Sequence, residues 1–232
     1  MALGVVALGA LLAGAASARA GIALDRVIVD FRAGGEIAQD IVVTNTGDDR
    51  QYVLVEPREI VEPGTPNEHE EVKKDPNELG LLVTPNRLVL DPGQRKIVRL
   101  VVVTKDRRKE RIYRVRVRPV EAPNRGDEKE GAQVRILVAY DALVMVRPPG
   151  AEARVVSERR GDTITFQNAG TTNALLTGEP QCDASGKACA PPEAARLYAG
   201  TIKKVTVKHP TAVTYRVQWM DESEVVTIPA AK

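Results

Sequence analysis

The 232-residue chain has almost no net charge: 33 Lys and Arg stand against 31 Asp and Glu, a formal +2. That balance leaves no electrostatic footprint for nucleic acid or an anionic membrane surface. Histidine and cysteine are equally scarce, with two of each. Only His69 and His209 could join Cys182 and Cys189 around a metal, and neither stands at ligand spacing. There is no glycine-rich phosphate loop, no His-Glu zinc motif and no serine in a nucleophile elbow. Acid pairs such as Glu70 and Glu71 lie in a polar stretch where nothing would move a carboxyl pKa into catalytic range. These absences predict a protein that is not an enzyme, with no cofactor, no metal, no nucleic acid and no small-molecule substrate.

The first apolar run, residues 3–16, is shorter than the roughly 20 residues a membrane span needs. It is followed by Ala18-Arg19-Ala20, with a small residue at both outer positions before a cut. That pattern predicts a cleavable signal peptide over residues 1–20 and an exported mature chain from Gly21. No Lys or Arg precedes Arg19, so the usual basic n-region is missing and a start upstream of Met1 is expected. Residues 1–20 contain one Arg and no acid, which leaves the mature chain at +1. In an exported protein, two cysteines as close as Cys182 and Cys189 most readily form one local disulfide.

Short alternating segments separated by turn residues run the whole length. The clearest are 22–31, 37–46, 51–55, 87–90, 96–103, 112–117 and 134–146, with turns at Asn45-Thr46-Gly47 and Asp91-Pro92-Gly93. That number of strands on this spacing predicts an immunoglobulin-like sandwich. Pro148-Pro149-Gly150 then interrupts the pattern. Beyond it, shorter segments at 154–156, 163–167, 174–177, 201–207, 213–219 and 225–228 predict a second, smaller sandwich holding the disulfide. The expectation is an all-β chain of two immunoglobulin-like domains, residues 21–148 and 149–232. Two polar stretches, 62–78 and 121–131, read as loops.

Residues 133–147, QVRILVAYDALVMVR, hold the strongest functional signal. Val134, Ile136, Val138 and Tyr140 share one face at the two-residue strand period. Leu137, Ala139, Leu143 and Val144 make the segment apolar on both sides. Such a strand is either covered by its own domain or left for another chain, because an uncovered apolar edge invites aggregation. Nearby, Arg114, Arg116 and Arg118 alternate with Tyr113, Val115 and Val117. The row is either a solvated sheet face or an anchor for a carboxylate, which a guanidinium holds through two parallel hydrogen bonds.

The segments LLVTPNRLVLDPGQRKIVRL (81–100), ERIYRVRVRPV (110–120) and DALVMVRP (141–148) resemble the PapD-like periplasmic chaperones of the chaperone–usher pathway. The IYRV and GLLVTP runs look closest to the class serving alpha-type fimbriae. The resemblance implies a boomerang of two immunoglobulin-like domains. It also implies a periplasmic chaperone that caps pilus subunits by donating a strand and delivers them to an outer-membrane usher. Strand donation of this kind is itself a general example of β-augmentation. The donor side chains would be Val134, Ile136 and Val138, with Tyr140 following. The resemblance further implies an interdomain salt bridge of Arg99, Glu110 and Asp221. The family's carboxylate-anchoring positions fall on Ile28 and Leu143, so Arg26, Arg114 or Arg116 would have to serve instead. A free chaperone that self-caps as a homodimer also fits an apolar edge. The competing reading is a structural pilus or surface subunit built from the same sandwiches. Such a subunit would need an N-terminal extension of alternating apolar residues, and the first strand begins almost at the cleavage site.

Overall fold

A computed structural model describes residues 21–121 and 137–231. The expected signal peptide, most of the polar stretch 121–131, and Val134 and Ile136 lie outside the described residues.

The first group of strands is β1 (Ile22–Leu24), β2 (Ile28–Phe31), β3 (Ala38–Asn45), β4 (Gln51–Val61), β5 (His69–Glu71), β6 (Leu81–Thr84), β7 (Arg87–Leu90), β8 (Arg95–Val102), β9 (Arg111–Val120) and β10 (Tyr140–Val146). One sheet runs β1-β3-β8-β6; the other runs β2-β10-β9-β4-β5, with β7 also paired to β4. The alternation seen in the sequence places Phe31, Ile41, Val43, Leu100, Val115 and Val144 between the two sheets, each almost wholly buried. Each such side chain contributes about 1.5–3 kcal/mol by leaving water. A short helix, α1 (Pro76–Leu79), leads into β6. Asp75 caps it by accepting from Asn77 N, and Gly80 closes it at φ +84°. A β-carbon at Gly80 would have to displace the Arg111 guanidinium and crowd the Tyr113 hydroxyl.

The second group is β11 (Val155–Arg160), β12 (Thr163–Asn168), β13 (Ala174–Gly178), β14 (Gln181–Cys182), β15 (Cys189–Ala190), β16 (Ala195–Leu197), β17 (Ile202–Thr206), β18 (Val213–Trp219) and β19 (Glu222–Ile228). A three-stranded sheet, β11-β12-β17, faces a four-stranded one, β16-β13-β18-β19. Between them Phe166 and Tyr215 meet edge to face, with ring centroids 4.9 Å apart. The Cys182–Cys189 disulfide staples the β14–β15 hairpin. No described helix is long and apolar enough to cross a membrane.

Both sandwiches turn one corner in the same way. Asn45, fully buried at the end of β3, donates Nδ2 to the Asp49 and Leu90 carbonyls and accepts from Gly47 N. Asn168, fully buried at the end of β12, donates Nδ2 to the Thr172 and Leu197 carbonyls and accepts from Gly170 N. In each, the side chain satisfies backbone groups that the turn removes from the sheet ladder.

Three expectations are corrected. The segment 22–31 is two strands in different sheets: β1 pairs with β3, and β2 pairs in parallel with β10. Asp25 makes the crossing by exchanging hydrogen bonds with Val42, its N–H to the carbonyl and its Oδ1 to the amide. The stretch 62–78 contains β5 and α1. β5 has no apolar alternation and is held by pairing with β4 and by ion pairs from Glu70 to Arg58 and Arg116. The segment 51–55 continues to Val61, and β6, β14, β15 and β16 are additional strands.

Candidate functional site

β10 is covered unequally along its two edges. On one side it pairs with β9 from Tyr140 to Val146. On the other it meets β2 only from Leu143 onward, beginning with Leu143 N donating to the Val27 carbonyl. Among the described residues no strand covers that edge of Tyr140, Asp141 or Ala142. Val146, Val144 and Ala142 point into the core, and Tyr140 packs against its margin. The two-residue period carries this file on to Val138, which is 41% exposed. The expected strand 134–146 is thus shorter among the described residues: residues 137–139 precede β10, and the apolar parity continues beyond it in sequence only. The first two expected donor residues, Val134 and Ile136, continue the same parity but fall outside the described residues.

The outer face of the same sheet carries a second apolar cluster. Ile60, Ile112, Leu143 and Met145 pack together, and Tyr198 of the second sandwich rests on them. Beside this patch lies a cleft of about 460 Å³ lined by Ile60, Glu68, His69, Glu70, Arg114, Asp141 and Tyr198. The arginine row of β9 faces this side, as its alternation predicts, and its members differ in occupation. Arg116 is held by Asp141 at 3.0 Å and by Glu70 at 3.6 Å, and Arg118 by Glu56 at 2.9 Å. Among the described residues Arg114 has only a long bond of 3.5 Å to the Asp141 carbonyl. Arg26 does not join this group; it pairs with its neighbour Asp25 and is half exposed. Ile28 and Leu143 are direct partners across β2 and β10 and present no charge.

A cation that sequence reading missed, Arg196 on β16, stands near Arg114. Its guanidinium donates to Asn173 Oδ1, and no carboxylate among the described residues reaches ion-pair distance of it. Burial lowers its pKa, with Arg147 and Arg114 acting in the same direction and Tyr198 and Glu110 opposing. No sequence signal marked it, because nothing in a short strand of the second sandwich announces its neighbours in the first.

The junction itself is built on Arg147. Its side chain is 3% exposed and binds Asp30 at 2.6 Å and Glu110, 4% exposed, at 3.3 Å. It also donates to Thr172 Oγ1 of the second sandwich. Glu110 in turn accepts from Thr172 Oγ1 at 2.5 Å, Asn173 N at 2.9 Å and Asn173 Nδ2 at 2.6 Å. The expected triad is corrected accordingly. Arg99 lies on the outer face of the other sheet and pairs with Asp40 at 2.9 Å. Asp221 pairs with Arg32, whose Nη2 donates to it at 3.0 Å in an exposed setting. Of the three expected residues Glu110 and Asp221 both bridge the two sandwiches, linked not to each other but through Arg147, Asp30 and Arg32, and only Arg99 is absent from the junction. Arg99 projects from the opposite sheet, and Asp221 finds a cation at the end of β2 before it could reach Glu110.

Among the described residues no three His, Cys, Asp or Glu side chains gather at metal-binding distance. The geometry is thus an open strand edge with a cleft lined by charges of both signs beside it. Residues 21–152 match the family of pili and flagellar-assembly chaperones, PapD N-terminal domain. The chain belongs to that family. A CFA/I fimbrial protein of Escherichia coli is 32% identical over 131 residues, 53% of this chain and 53% of that protein. The match thus spans about half the length of this curated relative. The crystal structure of the class 5 fimbriae chaperone CfaA superposes with a TM-score of 0.61 at 20% identity, covering 90% of this chain and 99% of that one. The Salmonella enterica SafA pilin–SafB chaperone complex gives a TM-score of 0.64 at 15% identity, covering 92% and 98%. At such identities these likenesses speak for the fold: this PapD-family chain has the all-β, two-sandwich architecture of the pilus chaperones.

Proposed function

We infer that the protein is a periplasmic chaperone of the chaperone–usher pathway, which binds and caps fimbrial subunits by adding its β10 edge to their open sheet. The observation that carries this is the half-covered edge of β10, with an apolar parity that continues beyond the strand in sequence to Val138. An open edge of this kind supplies main-chain hydrogen bonds to an incoming sheet, and its alternate side chains fill the partner's core. Val138 and Tyr140 would act first, with Ile136 and Val134 extending the series. Domain boundaries near Pro148-Pro149-Gly150 fit the division between the strands ending at Val146 and those beginning at Val155.

Arg114 is the best-placed anchor for the terminal carboxylate of the bound pilin, since Arg116 is already occupied and Arg26 lies apart. Arg196 adds a second positive charge beside it. Likeness to the CFA/I and class 5 proteins favours the alpha-type fimbrial class. Delivery to an outer-membrane usher, export by the leader at residues 1–20, and self-capping of the free protein as a homodimer complete the reading. The alternative of a structural pilus subunit loses ground to the family match.

The test is co-expression in a bacterial periplasm with the fimbrial subunit encoded beside it, followed by pull-down. Wild type should return a one-to-one complex. Val138→Asp and Ile136→Asp should remain folded and lose it, and Arg114→Ala should weaken it. Equal capture by wild type and both Asp variants would remove strand donation from consideration.

A further inference from the structure

Two charges in the cleft beside β10 have no ionic partner among the described residues, and they are of opposite sign. Among the described residues Arg114 has no carboxylate at ion-pair distance, and its bond there is to the Asp141 carbonyl. Glu68 has no cation at that distance among the described residues; its Oε2 accepts only from Gly64 N, at 2.6 Å. The neighbouring acids are committed elsewhere, Glu70 to Arg58 and Arg116 and Asp141 to Arg116. Arg114 and Glu68 line the same cavity of about 460 Å³ yet do not pair with each other. Both act on the Tyr198 phenol, which lines the same cavity. Burial raises its pKa, Arg114 pulls it down and Glu68 pushes it up.

Glu68 does not ride on a free loop. It follows the turn of the β4–β5 hairpin, and that turn abuts the second sandwich. Gly64 sits at φ +75°, where an added β-carbon would stand 2.9 Å from Tyr198 Cδ2. The hairpin thus stands against the second sandwich and lines the same cleft as Arg114.

We propose that this cleft reads the last residue of the bound chain through two charges. Arg114 takes the terminal carboxylate, and Glu68 on the β4–β5 hairpin takes a cationic side chain, so a chain ending in Lys or Arg is preferred over one ending in Asp or Glu. The proposal rests on the carboxylate anchor argued above and adds the side chain that the anchor selects. Glu68 is exposed, so the preference is modest: about two- to fivefold, the range of solvent-accessible ion pairs.

The test uses N-acetylated tetrapeptides, Thr-Val-Thr-Lys and Thr-Val-Thr-Glu, each as free acid and as C-terminal amide. Each is titrated into the mature protein and followed by NMR at the Arg114 side chain and the Tyr198 ring. The free acids should bind more tightly than the amides, and this difference should vanish in Arg114→Ala. Among the acids, the Lys peptide should bind more tightly than the Glu peptide, and Glu68→Gln should equalise them. Equal binding of the Lys and Glu acids by wild type, with the acid-over-amide preference intact, overturns the proposal and leaves the anchor standing. A Lys preference that survives Glu68→Gln overturns it too. Acid and amide binding alike, or no binding by any peptide, overturns the anchor and the proposal together.

Discussion

Asn45 and Asn168 perform one task in two sandwiches that are otherwise held together differently. Each is buried at a strand end, takes the amide two residues ahead and supplies the carbonyl four residues ahead. Around that shared corner the first sandwich relies on long strands and apolar packing, with β3, β4, β8 and β9 spanning eight to eleven residues. The second has shorter strands and adds polar ties. The Arg159 guanidinium donates to the Gly161, His209, Thr211 and Pro229 carbonyls without any carboxylate. Gln181 exchanges bonds with the backbone at His209 and Thr211, and the adjacent Cys182–Cys189 bond closes its hairpin. The difference teaches a division of labour. The domain with the larger core can leave a strand edge open, and the domain with the smaller core is stapled shut and serves as a brace.

The comparison breaks most severely at the joint. Replacing Arg147 with Met leaves Glu110 buried without its cation, a loss of about 3–5 kcal/mol in urea denaturation. Glu110→Gln should cost less than the single change at Arg147, and the double variant should show strong coupling between the two sites.

Next comes the disulfide. Removing it as Cys182→Ala with Cys189→Ala should cost about 2–3 kcal/mol by the chain-entropy account of a loop this short. The loss should appear in the second sandwich alone, as faster amide exchange in β12, β13 and β18 with β3 and β9 unaffected.

The paired corners sharpen the comparison. Asn45→Ala and Asn168→Ala should each cost about 1–3 kcal/mol, since each strands buried backbone groups. The two losses should add, because the corners share no partner. A tenfold disparity in their effects on the unfolding constant would show that the corners are alike only in outline.

The smallest effect separates the two core tyrosines. Tyr113 Oη donates to the Leu79 carbonyl at 3.0 Å, so Tyr113→Phe should cost about 1 kcal/mol. Tyr215 Oη, fully buried, has no partner among the described residues, so Tyr215→Phe should be neutral or slightly stabilising. Burial pushes the Tyr215 pKa up from 10.0 to about 12. A folded-state pKa above the unfolded one favours the neutral phenol. That contribution is complete below pH 10 and is lost as pH rises from 10 towards 12. Denaturation titrations over that range should show Tyr215→Phe losing less stability than wild type.

The alternation was legible from Tyr113 onward, where each buried residue of β9 is followed by a half-buried one, and the arginine row comes directly from that period; Ile112, buried beside Tyr113, breaks it. The two cysteines were legible from their closeness. The switch between β1 and β2 had a signal that went unused: buried Ile22 has even parity and buried Val29 and Phe31 have odd parity, a one-residue slip that marks a break. β5 could not be read, since His69-Glu70-Glu71 has no strand character and owes its conformation to partners on β4 and β9. The junction was hidden for the same reason. Arg147 looks like the polar end of an apolar strand, and only the fold brings Glu110 and Thr172 to it.

The crossing of β1 into β2 has one further consequence. Because the chain leaves the first sheet at Asp25 and joins β10 only at Leu143, the crossing acts as a shutter whose position sets how much of β10 stays bare. Its setting is a matter of chain length between Leu24 and Ile28. Two residues removed there would draw the shutter back along β10 and lengthen the bare edge by one side-chain pair. Two inserted would slide it forward and shorten the edge by the same step. How much of the β10 edge its own sheet leaves uncovered is thus tied to a three-residue crossing on a different part of the chain.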